Sequence, residues 1–442
     1  MKHDCDHIPL APRRYPFFYG WFIVALSAFG FLMSTPGQTY GVSPFTDALI
    51  EALGLTRVQL SLAYMIGTIG SALCLTYAGR AYDRFGARVV GPAASLLLGV
   101  VLLFLSQCDR MVDRVTATLG LASGHVVGFV TILLLFFALR FSGQGVLTMV
   151  SNNMRVKWFD RHRGFVTGLS GMVIAPAFSA TPAVFHALVE AVGWRGAWIR
   201  LALLVGGLFT VIAALFFRDN PEDCGLRPDG PLADKSWGRP KPPAGGQRQY
   251  TLAEARRTYR FWVFALGIAL FGFYVTGMSF HAASIFESAG MERNRGYMIF
   301  LYASIVSVAL RPIVGWLSDR IPLKFLMMAL MVGICMSTLG LRILAEGLSM
   351  WMVIAGNGIA GATLGTLGSI TWPNFFGREH LGAISGFNMS ITVFASAIGP
   401  WLFSQCLAHT DTYSLALLGT TALAAALLLL ATRADDFTAR SS

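Results

Sequence analysis

The ten residues GRAYDRFGAR at positions 79–88 recur in altered form as GWLSDRIPLK at positions 315–324. Both segments follow the pattern G-x-x-x-D-R, and in both a basic residue stands four positions after that arginine. Each of them comes directly after a long apolar run. A charged motif that occurs once in each half of a mostly apolar chain indicates a membrane protein built from two related halves.

A second pair of segments supports the same division. WFDRHRG at 158–164 corresponds to FFGREHLG at 375–382. Three matches follow at a constant offset of 218 residues, namely Gly164 with Gly382, Gly168 with Gly386 and Pro182 with Pro400. Residues between the halves are rich in Pro, Gly and charge, as is typical of a linker. We therefore predict an N-terminal six-helix bundle at 1–218, a linker at 219–258 and a C-terminal six-helix bundle at 259–442.

Length and composition place the chain among membrane proteins. Of its 442 residues, 55% are hydrophobic and only 13% are charged, too few charges to cover a soluble protein of this size. Apolar runs long enough for a hydrocarbon layer of about 30 Å recur throughout. We predict an all-α membrane protein with twelve transmembrane helices. They lie near 17–42, 58–79, 89–107, 124–155, 164–190, 196–218, 259–286, 295–317, 324–343, 349–374, 381–407 and 411–432. A short surface helix is also expected within Thr251–Arg257.

The distribution of basic residues predicts the orientation. Of the 34 Lys and Arg, 24 fall in the termini and in alternate loops on one side, and 8 fall on the other side. Cytoplasmic loops carry such an excess, so we expect a multi-pass protein of the cytoplasmic (inner) membrane with both termini in the cytoplasm. The net charge of +11 then reflects membrane topology, and we expect no nucleic-acid partner.

Arg140 and Arg311, the two remaining basic residues, lie inside apolar runs of membrane length. An ionised side chain in hydrocarbon costs about 2.5–3.5 kcal/mol even on the mildest scale, so such residues usually face a partner or a wet cavity. No acidic residue lies well inside a predicted span to neutralise them. The two arginines therefore favour a substrate that carries its own negative charge.

The signature loop identifies a family resemblance. Residues 79–88 match the signature loop of the major facilitator superfamily at every fixed position, and Arg140-Phe-Ser-Gly143 resembles its fourth-helix R-x-x-G motif. The resemblance implies two pseudo-symmetric bundles, transport by alternating access, and a gating role for the charged loops. The residues implied in gating are Gly79, Asp83, Arg84, Gly86, Arg88, Asp319 and Arg320. The alternative is that these charges only determine topology.

Other segments resemble the branch that includes the monocarboxylate transporters and the oxalate:formate antiporter. They include NPEDCGLRPDG at 220–230, LRPIVGWLSDR at 310–320 and FFGREHLGAISG at 375–386. In that branch an arginine followed by proline on helix 8 binds carboxylate, and Arg311-Pro312 stands there. A guanidinium can bind a carboxylate through two parallel hydrogen bonds. The chain departs from the proton-coupled members at Ser307, where they commonly carry an Asp.

The remaining candidates are polar residues of the helices that line the central path in this fold. The predicted substrate-binding residues are Arg311, Arg140, Gln38, Thr39, Tyr40, Tyr274 and Asn374, and the proton-coupling candidate is His281. For each of them a structural reading stays open. Arg311 could brace a neighbouring helix, Arg140 could have a structural or coupling role, and a lone histidine is often held by a backbone carbonyl.

We therefore expect a secondary active transporter of a small organic anion, a monocarboxylate or a short dicarboxylate, by proton symport or anion exchange. Two alternatives are a proton-coupled exporter of drug-like or other small organic molecules, and a membrane sensor with the same fold that does not transport. We expect no enzymatic activity, cofactor or metal, because no nucleophile, metal-ligand or nucleotide-binding pattern occurs. The expected partners are the anion, protons and the lipid bilayer, and the expected oligomeric state is a monomer.

Overall fold

The computed structural model describes residues 12–120, 124–231 and 248–434. Within these ranges every regular element is a helix, as a chain in hydrocarbon requires to satisfy its backbone hydrogen bonds. Ten helical stretches in the described ranges are long and apolar enough to cross a membrane. One of them, Arg163–Phe216, spans 54 residues and contains two predicted helices, and the shorter apolar helix Tyr19–Met33 adds another. The twelve predicted helices are thus accounted for.

The helices are numbered 1 to 12 in chain order. Helices 1 to 4 are Tyr19–Met33, Arg57–Phe85, Ala87–Ser106 and the run His125–Leu139, Arg140–Leu147 and Thr148–Trp158. Helix 5 begins at Arg163, and helix 6 follows Gly193 and ends at Phe216. Helices 7 to 12 are Tyr259–Ser288, Arg293–Ser318, Leu323–Arg342, Leu348–Phe376, Leu381–Thr410 and Ser414–Thr432.

Glycine and proline explain where the helical stretches change direction. Gly193 has φ 70° and ψ 161°, a conformation that only glycine adopts easily, and it separates helix 5 from helix 6. Helix 1 ends at Met33, and a 3₁₀ turn containing Pro36 follows it at Thr35–Gly37. Helix 1 is therefore shorter than the predicted run to residue 42, because Pro36 and Gly37 interrupt the α-helical hydrogen bonds.

Two shorter elements complete the described chain. Helix Cys108–Leu119 follows helix 3 and was not among the predicted elements, because four of its twelve residues are charged and it lacks an apolar run. Leu252–Ala255 forms a single helical turn. It begins with a capping box in which Thr251 and Glu254 satisfy each other's backbone N–H groups. The short helix expected within Thr251–Arg257 is therefore confirmed.

The chain forms two compact units. Of the described residues, the first unit contains 12–120, 124–158, 176–230 and 385–390, and the second contains 159–175, 231, 248–384 and 391–434. The start of helix 5 thus belongs to the second unit, and a short piece of helix 11 belongs to the first. Arg140 lies in the first unit and Arg311 lies in the second.

Candidate functional site

Arg140 lies where helix 4 changes its winding. Residues Arg140–Leu147 form a π-helical segment within an otherwise α-helical run. Segments of this kind are frequent at functional sites, since they shift the side chains that follow. Two glycines allow the turn after helix 1 to approach helix 4 closely: a Cβ placed on Gly37 would lie 2.7 Å from the Cα of Gly143. The R-x-x-G pattern therefore brings the turn after helix 1 against the guanidinium.

The Arg140 guanidinium is buried and has several partners in the first unit. Its Nη1 donates to the carbonyl oxygen of Gly37 at 3.1 Å and to the hydroxyl of Thr39 at 3.4 Å. Its Cζ lies 5.2 Å from the centre of the Tyr64 ring, within the range of a cation–π interaction. Tyr64 in turn donates to Thr39 at 3.0 Å. The charge is thus held by a carbonyl, a hydroxyl and a ring face, while the buried Nε has no hydrogen-bond partner among the described residues.

The two neighbours of Thr39 in the predicted set have different environments. Gln38 is buried, and its amide donates to Ser34 and to Thr148, both at 3.3 Å. This side chain connects helix 1 to helix 4 and is occupied by protein partners. Tyr40 is 54% exposed. Thr39 and Tyr40 are therefore the exposed members of this group.

Arg311 lies on helix 8 in the second unit and is partly buried. Glycines form the walls around it. A Cβ placed on Gly171 of helix 5 would lie 2.6 Å from its Nη1, and one placed on Gly365 of helix 10 would lie 2.9 Å from the same atom. The backbone approaches equally closely at Gly168, where a Cβ would lie 2.5 Å from the carbonyl oxygen of Arg311. The guanidinium therefore occupies a slot between Gly171 and Gly365, which exists because these two positions lack side chains, and Gly168 lets the backbone of helix 5 approach that of helix 8 beside it.

No side chain in the described ranges makes a hydrogen bond or an ion pair with the Arg311 guanidinium, and its Nε is buried without a partner. The nearest acid along its own helix is Asp319 at the end of that helix, which is bonded elsewhere. A cation that is partly desolvated and lacks a protein acceptor is unfavourable unless another group supplies the acceptor.

Two other predicted residues are already bonded within the second unit. Tyr274 is fully buried, its hydroxyl lies 2.5 Å from that of Ser337, and it accepts a hydrogen bond from Asn357 at 3.3 Å. Asn374 accepts from Nη1 of Arg163 at 2.8 Å. Tyr274 connects helices 7, 9 and 10, and Asn374 lies at the end of helix 10 beside the start of helix 5. Tyr274 and Asn374 therefore connect helices within the second unit.

His281 is held at both ring nitrogens. Its Nε2 lies 3.0 Å from the carbonyl oxygen of Pro400, and its Nδ1 lies 3.2 Å from the hydroxyl of Tyr413. The Tyr413 hydroxyl also lies 3.0 Å from that of Ser284. Because a carbonyl can only accept, Nε2 carries a hydrogen, and a proton gained by the ring would go to Nδ1. The geometry thus joins helices 7, 11 and 12 through the His281 ring.

The second charged loop caps helix 5. Asp319 accepts from the backbone N–H groups of Gly164 and Phe165, both at 2.9 Å, so its carboxylate lies at the positive end of the helix dipole. Arg320 lies with its Cζ 3.8 Å from the centre of the Trp316 ring. The carboxylate of Asp319 therefore stabilises the beginning of helix 5.

The first charged loop is fastened to other helices of its own unit. Gly86 has φ 76° and ends helix 2, and the next residue, Ala87, donates its N–H to Asp219 at 3.4 Å. Lys157 forms an ion pair with Asp219 at 2.7 Å, and Arg88 donates to the carbonyl of Ala214 at 3.3 Å. The remaining residues of the predicted gating set also lie here. Gly79 and the partly buried Asp83 are on helix 2, and Arg84 lies over the ring of Phe85 at 5.1 Å.

Sequence reasoning missed Tyr64 as a partner of Arg140, and it did not predict that Gly171 and Gly365 lie against Arg311. Tyr64 stands 76 positions from Arg140 in the chain, and no local pattern connects the two. For the glycines a signal existed. Gly361 and Gly365 have the same four-residue spacing as Ser307 and Arg311.

Comparisons with known proteins agree with this architecture. The family model described as Major Facilitator Superfamily matches residues 20–400. The chain is 25% identical over 292 residues to "Uncharacterized MFS-type transporter YhjX" of Escherichia coli (strain K12), which is 64% of this chain and 63% of that protein. It is 26% identical over 185 residues to "Probable sulfoacetate transporter SauU" of Cupriavidus necator, 41% of this chain and 38% of that protein. The chain thus spans less than two thirds of the length of these relatives.

A solved structure has the same fold. The proton:xylose symporter XylE, bound to 6-bromo-6-deoxy-D-glucose, aligns with a TM-score of 0.68 at 14% sequence identity. The alignment covers 93% of this chain and 94% of that chain. At this level of identity the similarity shows the arrangement of the helices.

Proposed function

The chain belongs to the Major Facilitator Superfamily and is a multi-pass membrane transporter, and from this premise we propose that its substrate is a small organic anion. The proposed substrate is a monocarboxylate or a short dicarboxylate. It crosses the cytoplasmic membrane by alternating access, through proton symport or anion exchange, and the protein acts as a monomer with both termini in the cytoplasm.

The main support for this proposal is the guanidinium of Arg311, which has no hydrogen-bond or ion-pair partner among the described residues. Arginine stays charged at all physiological pH values, so this group cannot escape its environment by losing a proton. The glycine-walled slot brings the backbone close without supplying an acidic group. A carboxylate that enters the slot supplies the missing acceptor and forms two parallel charge-assisted hydrogen bonds. Arg311 is therefore the proposed substrate-binding residue.

Arg140 has a different proposed role. Its contacts with Gly37 and Thr39 hold the interrupted end of helix 1 against helix 4. We assign it to positioning that turn, so that the exposed Thr39 and Tyr40 face the substrate path. The π-helical segment at Arg140–Leu147 supports this role, because it places a charged side chain directly against a backbone carbonyl.

Further observations support the anion and the coupling. One of the relatives is named for the transport of sulfoacetate, which is itself a small organic anion. Asp319, which caps helix 5, supports a gating role for the second loop, since a charged cap can form in one conformation and release in another. His281 is the proposed carrier of a coupling proton through Nδ1, at which a proton gained by the ring would bind.

The proposal is tested by thermal stabilisation of the purified protein against small carboxylates, amino acids, sugars and cationic drugs. A ligand that binds only the folded state raises the melting temperature by mass action. We expect stabilisation by carboxylates in the native protein and none in Arg311→Gln. Arg342→Gln is the matched control, because Arg342 is exposed at the end of helix 9. Stabilisation by cationic or neutral compounds alone would disprove the anion proposal.

A further inference from the structure

Ser307 lies one helical turn before Arg311 and has an unusual hydroxyl. A serine in a transmembrane helix ordinarily donates to a carbonyl of the preceding turn. On the same helix Ser304 donates to Leu301 and Ser318 donates to Gly315, both at 2.7 Å. Ser307 makes no such bond with any described residue, although it is only 7% exposed. Its hydroxyl therefore has a hydrogen to donate.

Helix 10 shows where this hydroxyl points. A Cβ placed on Gly361 would lie 3.1 Å from the Oγ of Ser307, and one placed on Gly365 would lie 2.9 Å from Nη1 of Arg311. The two contacts advance by four residues on both helices, so helices 8 and 10 run in the same direction here. Ser307 and Arg311 thus face the same glycine-bearing surface, about 6 Å apart along the helix axis.

One small ligand can span this separation. A Cβ at Gly365 would meet the Arg311 guanidinium and one at Gly361 would meet Ser307, so the two donor groups stand at successive turns of helix 8. Two hydrogen bonds of about 2.8 Å and the distance between two neighbouring oxygens of a ligand can bridge the interval between them. Gly361 and Gly365 add no side chain of their own between the two donors.

We propose that Ser307 is a specificity-determining residue that donates a hydrogen bond to a second oxygen of the anion held by Arg311. The preferred substrate then carries an acceptor oxygen on the carbon next to its carboxylate. Arg311 binds the carboxylate, and the hydroxyl of Ser307 donates a hydrogen bond to the adjacent oxygen. This inference rests on the proposed function, because it assumes that Arg311 binds a carboxylate.

Matched ligands test it. Acetate and glycolate differ by one hydroxyl group, and glyoxylate carries an oxo group at the same carbon. Affinities are measured by thermal stabilisation of the native protein and of Ser307→Ala, with Ser304→Ala as the control on the same helix. In the native protein we expect glycolate and glyoxylate to bind about 2- to 12-fold more tightly than acetate, as one hydrogen bond contributes. Ser307→Ala removes this preference and leaves the affinity for acetate unchanged.

The outcomes separate the two proposals. Equal weakening of all three ligands in Ser307→Ala places the hydroxyl on the carboxylate and overturns the specificity role, and so does an unchanged preference. Binding of none of the three by the native protein, with stabilisation by other compounds, instead overturns the anion proposal itself. If Ser307→Ala does not fold, Ser307→Thr retains the hydroxyl and is expected to keep the preference, whereas Ser307→Cys is expected to lose it.

Discussion

Arg140 and Arg311 carry the same charged group in helices of the same apolar character, but their surroundings differ. The Arg140 guanidinium donates to a backbone carbonyl and a hydroxyl and lies against an aromatic ring. The Arg311 guanidinium lies between glycines and has no described partner. The first arginine thus has protein acceptors at Nη1, whereas the second has no acceptor among the described residues.

The difference shows what distinguishes a binding arginine from a structural one. Both guanidinium groups lose hydration, the buried Arg140 more than the partly buried Arg311, so the extent of burial does not identify the binding residue. Acceptors that are already in place lower the energy of the ligand-free protein, and they also compete with an incoming anion. A donor without an acceptor has the opposite effects. It lowers the stability of the ligand-free protein, and it makes the free energy of anion binding more favourable.

The largest expected effect is on transport. Arg311→Met removes the group that binds the carboxylate, and truncation of one partner of a buried charged pair costs about 2–5 kcal/mol, so saturable uptake should fall about 30-fold or more. Uptake of a radiolabelled carboxylate into proteoliposomes measures this, with the amount of folded protein checked by gel filtration. Uptake near the native rate in Arg311→Met would remove the distinction between the two arginines.

The glycine walls provide the next test. Gly171→Ala and Gly365→Ala each place a methyl group within 3 Å of the Arg311 guanidinium, so this side chain has to move and anion affinity should fall about tenfold. Gly368→Ala is the matched control, because a Cβ at Gly368 meets nothing within 4 Å. Binding is measured by thermal stabilisation. Equal affinities for all three variants would contradict the slot.

The stability of the ligand-free protein should depend more on Arg140 than on Arg311, which is the opposite of the order expected for anion binding. Arg140→Met leaves the buried carbonyl of Gly37 without its donor, which costs about 1–3 kcal/mol. Arg311→Met loses no protein hydrogen bond and relieves the desolvation of a charge. We expect a lower melting temperature for Arg140→Met, and an unchanged or higher one for Arg311→Met. The reverse order would show that Arg311 is the structural arginine.

The smallest expected effect is on the melting temperature and comes from the exposed contact between Thr251 and Glu254, which shows how little a charge in water contributes compared with the two arginines. Hydrogen bonds from the Thr251 N–H and hydroxyl hold the pKa of Glu254 below its ordinary value of 4.5. Because the folded-state pKa is the lower one, the stabilisation is present above pH 4.5 and is lost as the pH falls through the folded-state value. The melting temperatures of the native protein and Glu254→Gln should therefore differ slightly at pH 7 and converge in acid. A difference that grows in acid would contradict this sign.

Much of the fold follows from the sequence alone. Recurring apolar runs predict helices because a chain in hydrocarbon must satisfy its backbone hydrogen bonds within each segment, and this requirement is local. The repeated charged loops likewise predict two related halves. The exceptions were elements without an apolar run, such as Cys108–Leu119, and the early end of helix 1 at Met33.

The sequence also determined that both arginines lie inside apolar helices, since composition along the chain is enough to show an intramembrane charge. Only the tertiary structure decided which of them is satisfied. The acceptor of Arg140 is Gly37, 103 positions away, and the walls around Arg311 come from Gly171 and Gly365 on two other helices. The physical reason is that the free energy of a buried charge depends on the groups within a few ångströms of it, and in this chain those groups are brought together by helix packing.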